Sequence, residues 1–227
     1  MTTPSSGPAR ATAGHSGPAE SDPPTTLLLL RHGETVLTPH RRFSGSGGTD
    51  PELSATGRGQ AARAAASALL AQAPVHAVVS SPLRRCRQTA QAAADLLGLD
   101  VEIADGLREA DFGEWEGLTL DEIRARHPAD LRAWRESAAA PTGAAESLTA
   151  VAERAALAGA VLAARHPGRR LLVVSHVTPI KALIARALAA PVAAVHAMEL
   201  SPASFSALSH TGRGATMHLY NDTSHLR

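Results

Sequence analysis

Arg31 and His32 stand together at the end of an apolar run, Leu27-Leu28-Leu29-Leu30, and Gly33 follows them. A planar guanidinium offers forked donors to an oxyanion. An imidazole can serve as nucleophile, base or donor near neutral pH. The arrangement recurs twice. Val75-His76-Ala77-Val78-Val79-Ser80 runs into Ser81-Pro82-Leu83-Arg84-Arg85, and Leu171-Leu172-Val173-Val174-Ser175 runs into His176. Arg-His, Arg-Arg and His at three such ends suit a phosphoryl group, because a dianion needs charge neutralisation and forked donors. Metal chemistry finds less support. No pair among the 11 histidines has the spacing of a zinc helix such as H-E-x-x-H, and the single cysteine rules out C-x-x-C.

The elements that must place these residues follow from the same segments. Short continuous apolar runs read as strands buried in a parallel sheet. Ligands in open α/β sheets sit just beyond the carboxyl ends of the strands. Gly33 lets the backbone turn tightly or approach a ligand closely. Ser81, with Pro82 behind it, is placed to cap a helix running to a stop at Gly98, and Thr178 with Pro179 to cap another ending near Ala190. Leu53 to Gln72 reads as a helix opening at Ser54 or Thr56. Helical periodicity continues from Leu118 to Trp134 with a break at Pro128, and from Ser147 to Arg165. Val101-Glu102-Ile103 reads as an outer strand. Phe205–Ser209 and Ala215–Tyr220 flank a turn and form a hairpin. The alternation predicts an α/β chain: three layers, α/β/α, with a mostly parallel central sheet.

These motifs resemble the histidine phosphatase superfamily, the phosphoglycerate-mutase-like proteins, over nearly all of residues 26–227. Leu30-Arg31-His32-Gly33-Glu34-Thr35 matches the family signature. Asp50 to Ala61 resembles the segment leading into its first helix, and Ser80-Ser81-Pro82-Leu83-Arg84-Arg85-Cys86-Arg87-Gln88-Thr89-Ala90 its second phosphate-binding segment. Leu107-Arg108-Glu109 with Phe112 to Gly117 resembles its acid-bearing loop, and Val173-Val174-Ser175-His176 carries its second histidine. Five segments in the family's order make the resemblance specific.

The resemblance implies that His32 is the nucleophile, that Arg31 and Arg85 clamp the phosphate, that His176 donates to it, and that Glu109 protonates the leaving oxygen and then activates water. Arg85 is preferred to Arg84 by family spacing alone. Glu114 and Glu116 lie near Glu109 and compete with it for the acid's role. A nucleophilic imidazole must be neutral at the attacking nitrogen. A hydrogen bond from its other nitrogen to a backbone carbonyl would hold it so. The resemblance implies no metal and no cofactor, and a small cap insertion at about 117–168 that shapes substrate choice. Arg124, Arg126, His127, Arg132 and Arg135 lie in that span, either holding an acidic substrate or paired with neighbouring carboxylates on a solvated face.

The chain departs from the family's pattern at Thr38, where many relatives have asparagine, at Ala144-Ala145-Glu146-Ser147, and at His176-Val177-Thr178-Pro179-Ile180-Lys181. These positions bear on substrate contacts. The expected activity is hydrolysis of small phosphate monoesters through a phosphohistidine on His32, closest to bacterial acid phosphatases and α-ribazole phosphatases. A 2,3-bisphosphoglycerate-dependent phosphoglycerate mutase is the alternative, disfavoured by a short cap and a chain that ends soon after Tyr220. A non-catalytic phosphate-binding module is the third reading.

Composition agrees with an enzyme of this kind. Charge is nearly balanced, at net +1, with no basic stripe of the sort a nucleic-acid binder carries. The expected partner is a small phosphorylated metabolite, with no nucleic acid and no membrane; the oligomeric state is left open. Cys86 is the only cysteine, which suits a reducing cytoplasm and excludes an intrachain disulfide. It reads as helix packing. Residues 1–25, rich in Pro, Gly, Ser and Ala without apolar periodicity, read as a disordered tail with no secretory or membrane-spanning run.

Overall fold

The computed structural model describes residues 23–227 except Arg213, with Ala144 described in its backbone alone. Residues 1–22, most of the expected tail, lie outside the described residues. The first strand, β1 (Thr25–Arg31), opens at the last residue assigned to that tail, and the Thr25 hydroxyl donates to His166 O at 2.9 Å. Two helices follow, α1 (Ala55–Ala65) and α2 (Ala68–Ala71), then β2 (Ala77–Ser80), α3 (Arg84–Leu97) and β3 (Val101–Ile103). Next come α4 (Leu120–Arg126), α5 (Pro128–Glu136) and the long α6 (Leu148–Arg165). The chain continues through β4 (Arg170–Ser175), α7 (Val177–Ala187) and the hairpin β5 (Phe205–Thr211) and β6 (Gly214–Asp222).

The strands form one sheet in the order β3-β2-β4-β1-β5-β6. The first four are parallel, and β5 and β6 run antiparallel at one edge. The all-leucine run of β1 is explained by burial on both faces. Leu27 and Leu29 join Leu171, Val173 and residues of α6 and α7 in one core. Leu28 and Leu30 join Val78, Leu172, Val174 and the small residues of α1 and α3 in the other. Period-two geometry assigns alternate side chains to opposite layers, so helices must cover both faces. The architecture is the expected three-layer α/β/α.

Local signals mark the helix ends. Ser54 caps α1 by accepting from Gly57 N at 3.0 Å, and Ser147 caps α6 by accepting from Ala150 N at 3.1 Å. Gly98 ends α3 in the left-handed conformation, at φ 65°. The helix expected from Leu53 to Gln72 is two helices. The chain tightens at Ser67, whose N–H reaches Ala64 O, and restarts so that Leu70 enters the core.

Three further expectations are corrected. Ser81 does not cap α3, which starts at Arg84 after Leu83. Thr178 does not cap α7, which starts at Val177 after His176. In both cases the hydroxyl or amide is committed to the site described below. The span 117–168 is not one cap. Its second half is α6, a helix of the main layer that carries Ala155 and Leu162 into the sheet core. The cap is the part through α4, α5 and the turn at 142–144. Four of the chain's six Phe, Trp and Tyr residues, Phe43, Phe112, Trp115 and Trp134, pack in or against its core with Ile123 and Leu131.

Candidate active site

β2, β4 and β1 are neighbours in the sheet, so their carboxyl ends converge. Backbone bonds hold those ends in register beyond the last strand residues. His32 N donates to Ser175 O at 3.0 Å, and Ser81 N to Val174 O at 3.0 Å. This brings together residues far apart in the chain, with the His32 and His176 rings edge to face at 5.1 Å between centroids. The pocket above has a volume of about 570 Å³, and Arg31, His32, Arg85 and Glu109 all line it. His176 lies behind His32, fully buried and outside the lining.

Gly33 makes the geometry at β1 possible through packing rather than ligand approach. A Cβ at Gly33 would lie 2.5 Å from Gly57 O, and one at Gly57 would lie 1.9 Å from Glu34 O. Two glycines face to face let α1 press against the turn after His32. Thr89 of α3 supports the same turn by accepting from Gly33 N at 3.1 Å.

His32 Nδ1 lies 2.7 Å from Gly33 O. A carbonyl only accepts, so Nδ1 carries the proton and Nε2 keeps its lone pair. This is the tautomer-fixing bond that a nucleophilic imidazole requires. Burial, then Arg85 and Arg31, holds the His32 imidazolium well below its ordinary range, and the ring is neutral. Burial followed by Arg85 does the same to His176. His176 Nε2 lies 2.7 Å from Ser81 Oγ, with Cys86 Sγ at 3.3 Å. Burial, its largest influence, pushes the Cys86 thiol up, so it stays protonated as a packing group.

Arg85 is buried and Arg31 half-buried, both with donors to spare. Arg85 on α3 is 1% exposed, whereas Arg84 is exposed and its backbone N–H is held by Asp50. Arg85 Nη2 donates to Ser44 O at 2.9 Å, and Asp50 Oδ1 stands 3.7 Å from Nη1. Burial lowers the Arg31 guanidinium to about 10, which still leaves it charged at neutral pH. Among the described residues, the buried atoms Arg31 Nε and Arg85 Nε and Nη1 have no hydrogen-bond partner. Leaving buried donors of a cation unpaired is costly. Their convergence beside a neutral imidazole suits a tetrahedral oxyanion.

Of the three carboxylates in competition, only Glu109 lines the pocket. It is 5% exposed, and its carboxylate faces the start of α7, accepting from Thr178 N at 3.3 Å. Glu116 is spent on Gly45 N at 3.0 Å, holding the Ser44-Gly45 turn against Arg85. Glu114 is largely exposed beside His127. Phe112 lines the pocket with Glu109, whereas Trp115 belongs to the cap core. The loop bearing Glu109 is held by an ion pair that sequence reasoning missed. Arg154 of α6 meets Glu146 through two N–H···O contacts of 2.7 and 2.9 Å. It also donates to Arg108 O at 2.6 Å and Glu109 O at 3.0 Å. The Ala144-Ala145-Glu146-Ser147 motif was the available signal.

None of the cap cations Arg124, Arg126, His127, Arg132 and Arg135 lines the pocket. Arg124 pairs with Asp121, and His127 lies 3.5 Å from Glu114, so the solvated-face reading holds for these two. Glu114, His127 and Asp130 form the one group among the described residues with metal-ligand proximity, away from the pocket on the cap surface. Besides Arg31 and Arg85, the Arg and Lys residues that reach the pocket are Arg41, Arg42 and Lys181. Arg42 is already tied to Glu122 at 2.9 Å. Thr38 pairs its hydroxyl with that of Thr35 at 3.2 Å on the pocket wall. Among the described residues no helix is long and apolar enough to cross a membrane.

The chain belongs to the histidine phosphatase superfamily (branch 1), whose family model matches residues 27–223. A glucosyl-3-phosphoglycerate phosphatase of Mycobacterium tuberculosis is 41% identical over 175 residues, covering 74% of this chain and 77% of that protein. A bifunctional protein of the same organism is 42% identical over 204 residues, covering 89% of this chain and 55% of that one. The chain thus spans about half the length of that relative. The solved structure of a mycobacterial glucosyl-3-phosphoglycerate phosphatase complexed with VO3 superposes with a TM-score of 0.76 at 36% identity, over 87% of this chain and 99% of the other.

The neutral histidines give the fold a pH dependence. Unfolding exposes both imidazoles, which then bind protons below their ordinary value of 6.5; the folded chain does not take them up until well below it. The unfolded state therefore gains protons as pH falls, and stability is lost progressively below pH 6.5. The melting temperature should be level between pH 8 and 7 and fall from pH 6.5 to 5. His32→Ala should shallow that fall, which a thermal-shift series reads directly.

Proposed function

We propose that the chain is a metal-independent phosphomonoesterase that hydrolyses small phosphorylated metabolites through a phosphohistidine on His32. The observation that carries this reading is the set of buried, unpartnered donors of Arg31 and Arg85 beside an imidazole whose Nδ1 proton is held by Gly33 O. Such a constellation stabilises charge on a phosphoryl group in flight, where positioning and electrostatics supply most of the catalysis.

In this reading the ester phosphate docks on Arg31 and Arg85. His32 Nε2 attacks phosphorus as the ester P–O bond breaks, and Glu109 gives its proton to the departing oxygen. The phosphoryl group is then on Nε2. Water attacks it, Glu109 takes a proton from that water, the N–P bond breaks and inorganic phosphate leaves. The family pattern makes His176 a donor to the transferring group; here it stands behind His32, its ring fixed through Nε2 by Ser81 Oγ and set edge to face against the His32 ring. Thr178 N holds the carboxylate of Glu109 toward the pocket, and the Arg154–Glu146 pair holds the loop that carries it. The relative named as a glucosyl-3-phosphoglycerate phosphatase supports a small phosphorylated metabolite as the substrate class. A buried free thiol and the lack of any need for a disulfide support a reducing cytoplasm as the place of action.

The test is release of inorganic phosphate from p-nitrophenyl phosphate and from alkyl phosphates without added bisphosphoglycerate. A second assay supplies 3-phosphoglycerate with 2,3-bisphosphoglycerate: a phosphatase releases phosphate in the first assay and forms no 2-phosphoglycerate in the second, a mutase does the reverse, and a binding module does neither. Because the arginines and histidines supply the positive charge, EDTA should leave turnover unchanged and vanadate should inhibit. Turnover lost in EDTA and restored by zinc or magnesium would refute metal independence.

A further inference from the structure

The pocket is longer than a phosphoryl group needs, and α7 runs along its wall. Val177, Thr178 and Lys181 of that helix face the cavity. Thr178 sits at the acid end, where its N–H meets Glu109. Lys181 is the next position on the same face, roughly 5 Å further along the axis. Across from it stand His196 and Trp134, ring to ring at 4.4 Å, with Phe43 and Phe112 continuing the apolar wall.

Beyond the two guanidiniums of the phosphate clamp, Lys181 is a pocket cation without a counter-ion among the described residues. Its Nζ has three donors. Among the described residues it makes one long hydrogen bond, to Val195 O at 3.3 Å, and no ion pair. Arg42 is neutralised by Glu122 at 2.9 Å, and Arg41 stands exposed at the mouth. Burial, with Arg31 next, lowers the Lys181 ammonium from its ordinary value, while Glu109 and Glu199 oppose that shift without touching it. A half-buried ammonium without a counter-ion is costly unless something supplies one. The reacting phosphoryl group is already served by two guanidiniums, and Lys181 lies one turn beyond Thr178 along α7.

We propose that Lys181 binds a second anionic group, a carboxylate or a second phosphate, carried on the same small phosphate ester. The carbon skeleton between the two anions then lies against Trp134, Phe43 and Phe112. This rests on the reading of the pocket as a phosphate-ester site, and names the class of ester it selects.

The experiment measures binding by calorimetry in the His32→Ala background, so that turnover does not intrude. Two matched pairs serve as probes: 3-phosphoglycerate against glycerol 3-phosphate, and fructose 1,6-bisphosphate against fructose 6-phosphate. The anion-bearing member of at least one pair should bind about 10–100-fold more tightly, as expected of one charge-assisted contact. The pair that shows the preference identifies the second anion. Lys181→Met should bring that preference close to unity, and Lys181→Arg should retain it. Circular dichroism and retained binding of inorganic phosphate check that the variants fold. Equal affinities within both pairs, or a preference that survives Lys181→Met, would overturn the proposal. So would an equal loss for both members of each pair, which would place the ammonium on the reacting phosphate. Phosphate release by the unmodified chain is a separate readout. Its absence would remove the hydrolase reading while the binding preference still stood or fell on its own.

Discussion

His32→Ala is expected to lower phosphate release by on the order of 10⁴-fold or more, the scale seen when a covalent nucleophile is removed. The fold should survive. His32 is 6% exposed, but among the described residues the one hydrogen bond of its ring is to the carbonyl of the next residue, and β1 is held by its paired neighbours. Arg31 and Arg85 remain, so vanadate or phosphate should still bind. That combination, ligand bound and turnover lost, distinguishes loss of the nucleophile from loss of the site. A quench of the unmodified chain during turnover should trap a phosphoenzyme that is stable in alkali and labile in acid, as a phosphoramidate is; the variant should yield none. Near-normal turnover by His32→Ala would overturn the mechanism.

Glu109→Gln should slow alkyl phosphates by about 10²–10⁴-fold and p-nitrophenyl phosphate distinctly less. An alkoxide cannot leave without a proton, whereas p-nitrophenolate can. Glutamine keeps the shape and can still accept from Thr178 N, so the change removes the proton and little else. Single-turnover kinetics must read the first step, because in the proposed mechanism hydrolysis of the phosphoenzyme also uses Glu109. Glu116→Gln should show no such leaving-group dependence, since its carboxylate is occupied by Gly45 N and stands outside the pocket lining. An equal loss for both substrates in Glu109→Gln would refute the acid role, and leaving-group dependence in Glu114→Gln or Glu116→Gln would transfer it.

The sequence by itself determined the layers and the strand ends. A run of four leucines that fills both cores can only be a strand covered on both faces, and helix stops at Gly98 and caps at Ser54 and Ser147 are local chemistry. Arg31 and His32 were legible because they interrupt such a run where parallel sheets bind ligands. Tertiary structure decided what depends on register between distant strands. Arg85 rather than Arg84 turns inward because α3 packs with that face on β2 and β4. Glu109 rather than Glu114 or Glu116 reaches the pocket because Arg154 and Glu146, on and just before a helix further along the chain, hold its loop. Ser81 and Thr178 looked like caps, since their types and following prolines are those of helix starts. Convergence of β2, β4 and β1 instead committed one hydroxyl to His176 and one amide to Glu109. Local pattern encodes burial, which is periodic along the chain. The meeting of residues 32, 81, 109, 176 and 178 is a property of sheet order, and no window of the sequence contains it.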